Sequence, residues 1–329
     1  MDVNPAVRAT GLDSSGPVRQ VGEEAPTATP VISVVVCSYN SRHRIDTPLQ
    51  SMKEQDFHEP YEVIVVDSGQ DDCAAYVRAT YPGVRVVRSE RRLYPGQARN
   101  QGVAVARGRY VAFLPDDCVA QPDWLRRRVA KHREGFVAVG GAITNGTPLH
   151  PVGSAGYYLE YASVIPCERI LAGQSVPHSL SYERTLFERL GAFPEDTRTG
   201  EDTVFNKRLL GAGVPIGFDA GVRIAHRNLT GIRPYLRHQY EHGRGLIQCV
   251  ERYGFESPTG PREQSVAVAM YRIFLYYPTC RCWNLLKCIG RGKPRWLPGF
   301  LSLTPFIWAG LWATSAGAWV EWRSMRRAQ

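Results

Sequence analysis

Two adjacent carboxylates, Asp116 and Asp117, directly follow the apolar run Tyr110 to Leu114. An unbroken apolar run is typical of a central parallel strand, which is buried on both faces. Ligands of open α/β sheets bind outside the carboxyl ends of such strands. Carboxylate oxygens at this position can hold a hard divalent cation beside a phosphate. The sequence therefore predicts a phosphate-handling metal site where this strand ends.

A second acidic pair, Glu201 and Asp202, stands at the start of a predicted helix. The apolar positions of that helix are spaced to face a core: Val204, Phe205, Leu209 and Leu210. Acids in a first helical turn can serve only the helix dipole. One of them can instead act as a base that removes a proton from a hydroxyl. Because adjacent acids can hardly both point at one atom, one base is expected.

Two further sites of interest allow alternatives. Asp67 ends the apolar run that begins at Tyr61, where it can be a helix N-cap, a turn residue or a ligand-binding acid. Arg99 and Asn100 stand near the start of a helix-like segment, whose terminal amides and dipole favour anions. Arg99 can pair with phosphate or form a salt bridge with Asp67 or Asp116.

The elements that must position these residues alternate between strands and helices. Val31 to Asn40 and Tyr61 to Asp72 read as strands that break into polar loops, and this is the pattern of βαβ units. Helices are predicted over 48–55, 73–80 and 124–133, and a strand over the VRVVRS segment. These elements predict an α/β domain with a mostly parallel sheet.

Five ordered motifs together resemble the family 2 inverting glycosyltransferases, whose nucleotide-sugar-binding domain has the GT-A fold. The motifs are VVVCSYN, VIVVDSGQDD, GQARNQGVAVARG, VAFLPDDC and GAFPEDTRTGEDTVFNKRL. The resemblance covers roughly residues 31 to 245. It implies a GT-A fold, here with a membrane-associated helical tail, and transfer of a sugar from a nucleotide-sugar donor to an acceptor hydroxyl. A cell-envelope or lipid-linked glycan is the expected acceptor.

The resemblance assigns a nucleotide-sugar pocket to the strand ends. By analogy, Asp67 accepts a hydrogen bond from the nucleobase. The residues expected to complete this binding site are Ser38, Tyr39, Asn40, Arg99, Asn100 and Asp116.

The DxD element of the family corresponds to Pro115-Asp116-Asp117, whose first acid is missing. The resemblance implies that Asp116 serves the nucleotide and Asp117 the metal, with Mg²⁺ or Mn²⁺ as cofactor. His226 resembles a histidine that acts beside the diphosphate as a metal ligand or a hydrogen-bond donor. Asp202 resembles the catalytic base, and Glu201 is expected to contact the acceptor or the helix dipole.

Composition limits the partners. The 329-residue chain has a net charge of +9 and a pI near 9.2, which suits anionic lipid surfaces and diphosphate substrates. Motifs of nucleic-acid-binding domains are missing, so no nucleic acid is expected. The eight cysteines lack paired spacings, and this favours a reduced, cytosolic compartment.

Three regions follow from these patterns. Residues 1–29 are predicted to be a flexible leader, because they are rich in small and polar residues. Residues 30–255 form the glycosyltransferase domain, with a nucleotide-sugar half over 30–140 and an acceptor half over 141–255. Residues 256–329 form a helical, membrane-associated region at the cytoplasmic face of the cell membrane.

The run from Leu297 to Val320 contains no charged residue. At about 1.5 Å per residue it is long enough to span a bilayer. Its prolines, hydroxyl residues and tryptophans also suit a helix lying in the interface, or a buried C-terminal helix.

Two other function classes remain open at this stage. A nucleotidyltransferase would show a Gly-rich loop after the first strand, and a degenerate sugar-binding subunit is motivated by Pro115.

Overall fold

A single mixed sheet runs through the computed structural model, which describes residues 19–20, 28–167, 179–255, 257–259 and 265–327. The strands of this described part are β1 (Arg19–Gln20), β2 (Ile32–Ser38), β3 (Tyr61–Asp67), β4 (Val84–Arg88), β5 (Tyr110–Phe113), β6 (Cys118–Ala120), β7 (Ala138–Asn145), β8 (Leu180–Glu183) and β9 (Ile216–His226). Their order is β1-β4-β3-β2-β5-β8-β7-β9-β6.

The helices flank this sheet and continue beyond it. They are α1 (Asp46–Lys53), α2 (Cys73–Thr80), α3 (Pro95–Val105), α4 (Trp124–Arg133), α5 (Pro151–Tyr161), α6 (Thr185–Leu190), α7 (Glu201–Gly211), α8 (Ile232–Tyr253), α9 (Val266–Tyr271), α10 (Tyr277–Gly292), α11 (Leu297–Ser302) and α12 (Thr304–Arg327). A π-helical turn over Arg272–Tyr276 joins α9 to α10. The helices predicted over 73–80 and 124–133 are confirmed, and the one predicted over 48–55 begins at 46 and ends at 53.

The parallel part of the sheet is the part that the sequence predicts. Strands β4, β3, β2 and β5 run parallel, and their β-branched residues are buried on both faces. Val34, Val36 and Ile64 are fully buried, and each such side chain stabilises the fold by about 1.5–3 kcal/mol. Because these strands are parallel and in register, their carboxyl ends meet at one edge.

The other flank of the sheet is more mixed than the sequence predicts. Strand β8 runs antiparallel between β5 and β7, β6 runs antiparallel to β9, and β7 is parallel to β9. The predicted halves 30–140 and 141–255 therefore share one sheet, because β5 and β8 pair directly. The segment Leu180–Glu183 alternates apolar and polar residues, but four residues are a weak signal for a strand.

An aromatic cluster holds α7 against β5 and β8. Tyr182 packs edge-on against Phe113 and Phe205, at centroid distances of 6.2 Å and 5.1 Å. Phe193 contacts Phe113 at 5.3 Å and Phe205 at 4.8 Å. The Tyr182 hydroxyl donates to Asn206 Oδ1 of α7 over 2.8 Å. These contacts fix the start of α7 relative to the strand ends.

The uncharged run from 297 to 320 is divided between α11 and α12. Among the helices of the described residues, none combines the length and the apolar character that crossing a bilayer requires. Helix α12 packs closely on α8: a Cβ on Gly317 would lie 1.9 Å from the Tyr240 carbonyl oxygen, and one on Gly243 would lie 1.9 Å from that of Thr314. The predicted tail thus packs on the last helix of the predicted domain.

Most of the predicted leader lies outside the described residues. Within it, residues 19–20 form β1, which pairs antiparallel with β4. All eight cysteines are described, and all are free thiols, in line with their unpaired spacing in the sequence.

Candidate active site

The carboxyl ends of β2, β3 and β4 bring Ser38, Asp67 and Arg88 side by side. The register pairs Ser38 with Asp67, and Asp67 with Arg88. Ser38 Oγ donates to Asp67 Oδ1 over 3.0 Å, and Arg88 Nη1 donates to Oδ2 over 2.7 Å. The Gly69 amide donates to Oδ1 over 3.2 Å, so Asp67 does make a turn, while the N-cap of α2 is Asp72. Because a carboxylate has about four lone-pair sites, these three donors leave one for a ligand.

The loops that follow β2 and β3 are tied to each other. Asn40 has a left-handed backbone, with φ of 52°, and its Oδ1 accepts the Gln70 amide over 2.7 Å. A Cβ on Gly69 would lie 2.5 Å from the Asn40 amide nitrogen, so glycine is required at this approach. The Arg92 guanidinium lies 4.4 Å from the centre of the Tyr39 ring. The polar loop after β2 is therefore fixed beside the end of β3.

Asp116 and Asp117 turn to different partners after β5. Asp116 accepts hydrogen bonds from Ser41 Oγ, and from Arg44 Nε and Nη2 at 3.2 Å and 2.9 Å. Burial and the charge of Asp117 raise the pKa of Asp116, against the opposing charge of Arg44. Asp117 is directed toward β9, where its Oδ2 lies 3.4 Å from His226 Nε2. The two adjacent carboxylates thus face different neighbours.

His226 is placed by the pairing of β6 with β9, which sets it opposite Cys118. Its Nδ1 lies 2.8 Å from Asn228 Oδ1. Asn228 Nδ2 donates to Asn145 Oδ1 and to the His226 carbonyl, so the Asn228 oxygen accepts the hydrogen of Nδ1. Burial lowers the pKa of His226, but the charge and hydrogen bond of Asp117, together with Glu160 and Asn228, raise that pKa to about 9. Nε2 is therefore the nitrogen that faces Asp117.

Asp117 and His226 fit a divalent cation. Donor atoms of Asp117, Cys118 and His226 lie within 4.8 Å of one another. Asn228 fixes the far nitrogen of the imidazole, as outer partners usually do for metal-ligating histidines. Cys118 is fully buried, and burial holds its pKa well above the usual range, so its thiol stays protonated. The remaining donors are a carboxylate and an imidazole, a set that suits Mn²⁺ or Mg²⁺ beside phosphate oxygens.

Glu201 and Asp202 begin α7, and Arg99 of α3 lies against both. Arg99 Nε is 3.2 Å from Glu201 Oε1, and Nη2 is 4.0 Å from Asp202 Oδ2. Gly200 precedes them with φ of 84°, a left-handed conformation that favours glycine. Burial raises the pKa of Glu201, the Arg99 charge lowers it and the Asp202 charge raises it again. The guanidinium therefore partly neutralises a buried acidic pair.

Arg99 and Asn100 both face α7 and the loop before it. The acidic partners of Arg99 are those of α7, and not the two that the sequence allowed, because Asp67 and Asp116 pair with arginines of their own. Asn100 exchanges hydrogen bonds with the Phe193 backbone, at 3.0 Å and 2.9 Å. Direct binding of nucleotide by either residue stays a prediction.

Cys37, near the end of β2, lies between the two acidic pairs. Burial raises the pKa of its thiol to about 12, and the charges of Arg99, Glu201 and Asp116 also act on it. The Arg99 guanidinium, which contacts Glu201, also lies 5.1 Å from the centre of the ring of Phe113, the last residue of β5. Arg99 therefore joins the acids that begin α7 to the end of the strand that Asp116 and Asp117 follow.

Several contacts of this site are not predicted by the sequence. Arg44 and Ser41 lie in the loop before α1, and their contact with Asp116 spans more than 70 residues of chain. Arg88 could have been found, because it ends a predicted strand of the parallel sheet beside Asp67. Asn228 follows the predicted His226 by two residues, but only its contact with Nδ1 shows its role.

The model of glycosyl transferase family 2 matches residues 33–151, which include every strand of the parallel part and both acids after β5. Over this range the chain is similar to the family that its sequence motifs resemble.

Curated relatives extend the family match. Glycosyltransferase AglE of Haloferax volcanii is 26% identical over 230 residues, which are 67% of this chain and 74% of that protein. Succinoglycan biosynthesis protein ExoO of Rhizobium meliloti is 30% identical over 204 residues, which are 56% of this chain and 57% of that protein. The second alignment thus spans little more than half of the relative.

Solved structures share the fold. The mannosyltransferase PcManGT from Pyrobaculum calidifontis, in complex with GDP-Man and Mn²⁺, superposes with a TM-score of 0.58 at 20% identity, covering 92% of this chain and 90% of that one. TarS of S. aureus, residues 1–349 in complex with UDP, gives 0.50 at 19% identity, covering 91% and 92%. The predicted α/β, GT-A-like fold is confirmed.

The first prediction concerns the buried ion pair of Arg99. We expect Arg99→Met to lower the free energy of unfolding by about 3–5 kcal/mol at neutral pH, because it leaves the buried Glu201 carboxylate without its partner. Denaturant unfolding followed by circular dichroism measures this. Adding Glu201→Gln should restore part of the loss, since it removes one uncompensated charge.

The matched control is Arg109→Met, whose side chain is 67% exposed and lies 3.4 Å from Glu183. An exposed ion pair contributes about 0–1 kcal/mol. If Arg99→Met costs no more than this control, Arg99 is not the residue that stabilises the acidic pair.

Proposed function

We propose that this protein transfers a sugar from a nucleotide-sugar donor to an acceptor hydroxyl, with inversion at the anomeric carbon and Asp202 as the base. The observation that carries the proposal is that Arg99 joins the acidic pair of α7 to the end of β5, which the other acidic pair follows. Direct displacement requires one group that neutralises a leaving diphosphate and another that removes the acceptor proton. The two pairs supply one group each.

The nucleotide end of the donor is assigned to the edge formed by β2, β3 and β4. Asp67 is oriented by Ser38 and Arg88, with one acceptor position left for a nucleobase N–H. Tyr39 and Asn40 lie in the loop that borders the same edge. The structures of PcManGT and TarS, which share the fold, carry GDP-Man and UDP respectively, and this supports a nucleotide ligand.

Asp117 and His226 would hold a divalent cation, Mg²⁺ or Mn²⁺. Such a cation, when bound, supplies positive charge that neutralises the diphosphate of the leaving nucleotide. Asp116 keeps its place through Ser41 and Arg44, which orient it toward the nucleotide side. The Mn²⁺ in the PcManGT complex supports this assignment. Because residue 115 is a proline and not an acid, Asp116 and Asp117 are the two carboxylates that take these roles.

Asp202 is the better base of the second acidic pair. Glu201 Oε1 makes the closer contact with Arg99, at 3.2 Å, while Asp202 lies at 4.0 Å. A carboxylate held in a close contact with a guanidinium is less free to turn toward an acceptor hydroxyl. Glu201 thus keeps Arg99 in place, and Asp202 takes the acceptor proton.

The acceptor is proposed to be a glycan of the cell envelope or an exported polysaccharide, carried on a lipid. Relatives include proteins named for succinoglycan biosynthesis and for O-antigen chain rhamnosyl transfer. A groove of about 460 Å³ lies between α5 and α11, with Asn145, Tyr158, Arg295 and Trp296 among its lining residues. Asn145 connects this groove to His226 through Asn228. Aromatic walls and a cation suit a sugar with a phosphate.

The lipid is proposed to lie on the cytoplasmic face of a membrane, with α9 and α10 in contact with it. Large apolar side chains are exposed along the continuous run of α9, the π-helical turn and α10, and they include Val268, Tyr271, Leu275 and Trp283. The basic residues Lys287, Arg291 and Arg295 are exposed near its end. An apolar helical face with adjacent cations is the pattern of helices that bind anionic membrane surfaces.

The proposed transfer is tested by Asp202→Asn. We expect kcat to fall by about 10²–10⁴-fold, because the amide cannot take the acceptor proton, while nucleoside diphosphate affinity is unchanged. The control is Asp196→Asn, an exposed acid of the loop before α7 that pairs with Arg252. NMR of the product should show an inverted anomeric configuration.

Retention at the anomeric carbon, or full activity of Asp202→Asn, would refute this mechanism. A protein that binds nucleotide sugar but neither transfers nor hydrolyses it would instead be a sugar-binding subunit.

The membrane proposal is tested by co-sedimentation with vesicles. We expect binding to vesicles that contain anionic lipid, and weaker binding at high salt, because surface attraction is screened. Leu275→Gln with Trp283→Gln should lower the partition by about tenfold or more, since each exposed apolar side chain contributes about 1.5–3 kcal/mol when buried. Leu229→Gln, at an exposed apolar residue outside this helix, is the control. Equal partition of all variants would contradict the assignment of this face.

A further inference from the structure

A second cluster of metal-ligating side chains lies between α5 and α8. His238 and His242 are four residues apart on α8, and so share one face of that helix. Their rings lie 4.4 Å apart, centre to centre. Glu160 of α5 faces them, with its Oε1 3.1 Å from His238 Nε2. One donor atom from each of the three lies within 4.8 Å of the others.

The cluster is both accessible and fixed in place. The His238 side chain is 41% exposed and that of Glu160 is 13% exposed, so an ion can enter from solvent. Gln239 Nε2 donates to Glu160 Oε1 over 2.8 Å, which orients the carboxylate.

We propose that Glu160, His238 and His242 bind a divalent cation of the zinc class, at a site separate from Asp117 and His226. Two imidazoles and one carboxylate, with a fourth position open, form a ligand set used for Zn²⁺. Mg²⁺ prefers oxygen ligands, so it is not the expected ion here. Metal bonds of about 2.0–2.2 Å place two ligand atoms at most about 4 Å apart. The donor separation of up to 4.8 Å therefore closes with side-chain shifts of about 1 Å or less.

An ion at this position would cross-link the wall of the acceptor groove to α8. Helix α5 contributes Tyr157 and Tyr158 to that groove. Tyr161 follows Glu160, and its ring lies 4.8 Å from the ring of His226. The cation would thus fix α5 and, with it, Tyr161, which packs beside His226. Its role would be to position these groups, and the cation would bind whether or not the protein transfers a sugar.

The test uses the full-length protein, stripped with EDTA and titrated with Co²⁺ in the absence of nucleotide. We expect one equivalent to bind with the visible absorption of a four- or five-coordinate ion, and Zn²⁺ to displace it. His242→Ala and Glu160→Gln should each weaken binding by about 100-fold or more. Asp117→Asn should weaken it far less, because Asp117 adds negative charge near the cluster but supplies no ligand.

The matched control is Glu241→Gln, on the same helix between the two histidines. Its carboxylate contacts Arg198 and Arg244 instead of the cluster, so Co²⁺ affinity should not change. Circular dichroism verifies that each variant is folded, and His242→Gln provides a second substitution if His242→Ala is not. Unchanged affinity in the His242 and Glu160 variants, absence of the visible band in the wild type, or loss of the band in Asp117→Asn would each overturn the proposal.

Discussion

The buried contact of Arg99 with Glu201 is the interaction on which the candidate site depends. It joins α3, which lies between the parallel strands β4 and β5 in the chain, to α7, which packs on the antiparallel strand β8. A buried carboxylate that loses its partner costs several kcal/mol, so the guanidinium stabilises α7 in the position that the aromatic cluster also supports. The same ion pair that joins the two parts of the fold therefore fixes Asp202 relative to the strand ends.

A second constraint separates the two acids that follow β5. Ser41 and Arg44 draw Asp116 toward the loop before α1, while the pairing of β6 with β9 brings His226 to Asp117. Like charges on adjacent residues repel, and distinct partners for each carboxylate offset that repulsion. The turn between β5 and β6 thus gives two adjacent acids different surroundings.

The sequence predicts the parallel strands and the residues at their ends because both signals are local. Apolar β-branched runs identify β2, β3 and β5, and the polar residues that follow them must meet at one edge. What it cannot predict depends on pairing between distant segments. Strand β8 lies between β5 and β7, and α7 packs on it so that Glu201 meets Arg99. The packing of α5 on α8 brings Glu160 to His238. The run from 297 to 320 shows the same limit, because glycine contacts with α8 bury one of its faces.

The most direct test of the central claim is a calorimetric titration with UDP-, GDP- and dTDP-sugars, each with Mn²⁺ and with EDTA. The proteins are the wild type, Asp117→Asn, and Asp123→Asn as a control acid that pairs with Arg127 at the start of α4. We expect one nucleotide to bind with Mn²⁺, and to bind weakly with EDTA or in Asp117→Asn, while Asp123→Asn matches the wild type. Nucleotide affinity that neither EDTA nor Asp117→Asn changes would contradict the assignment of Asp117 and His226 as the cation site.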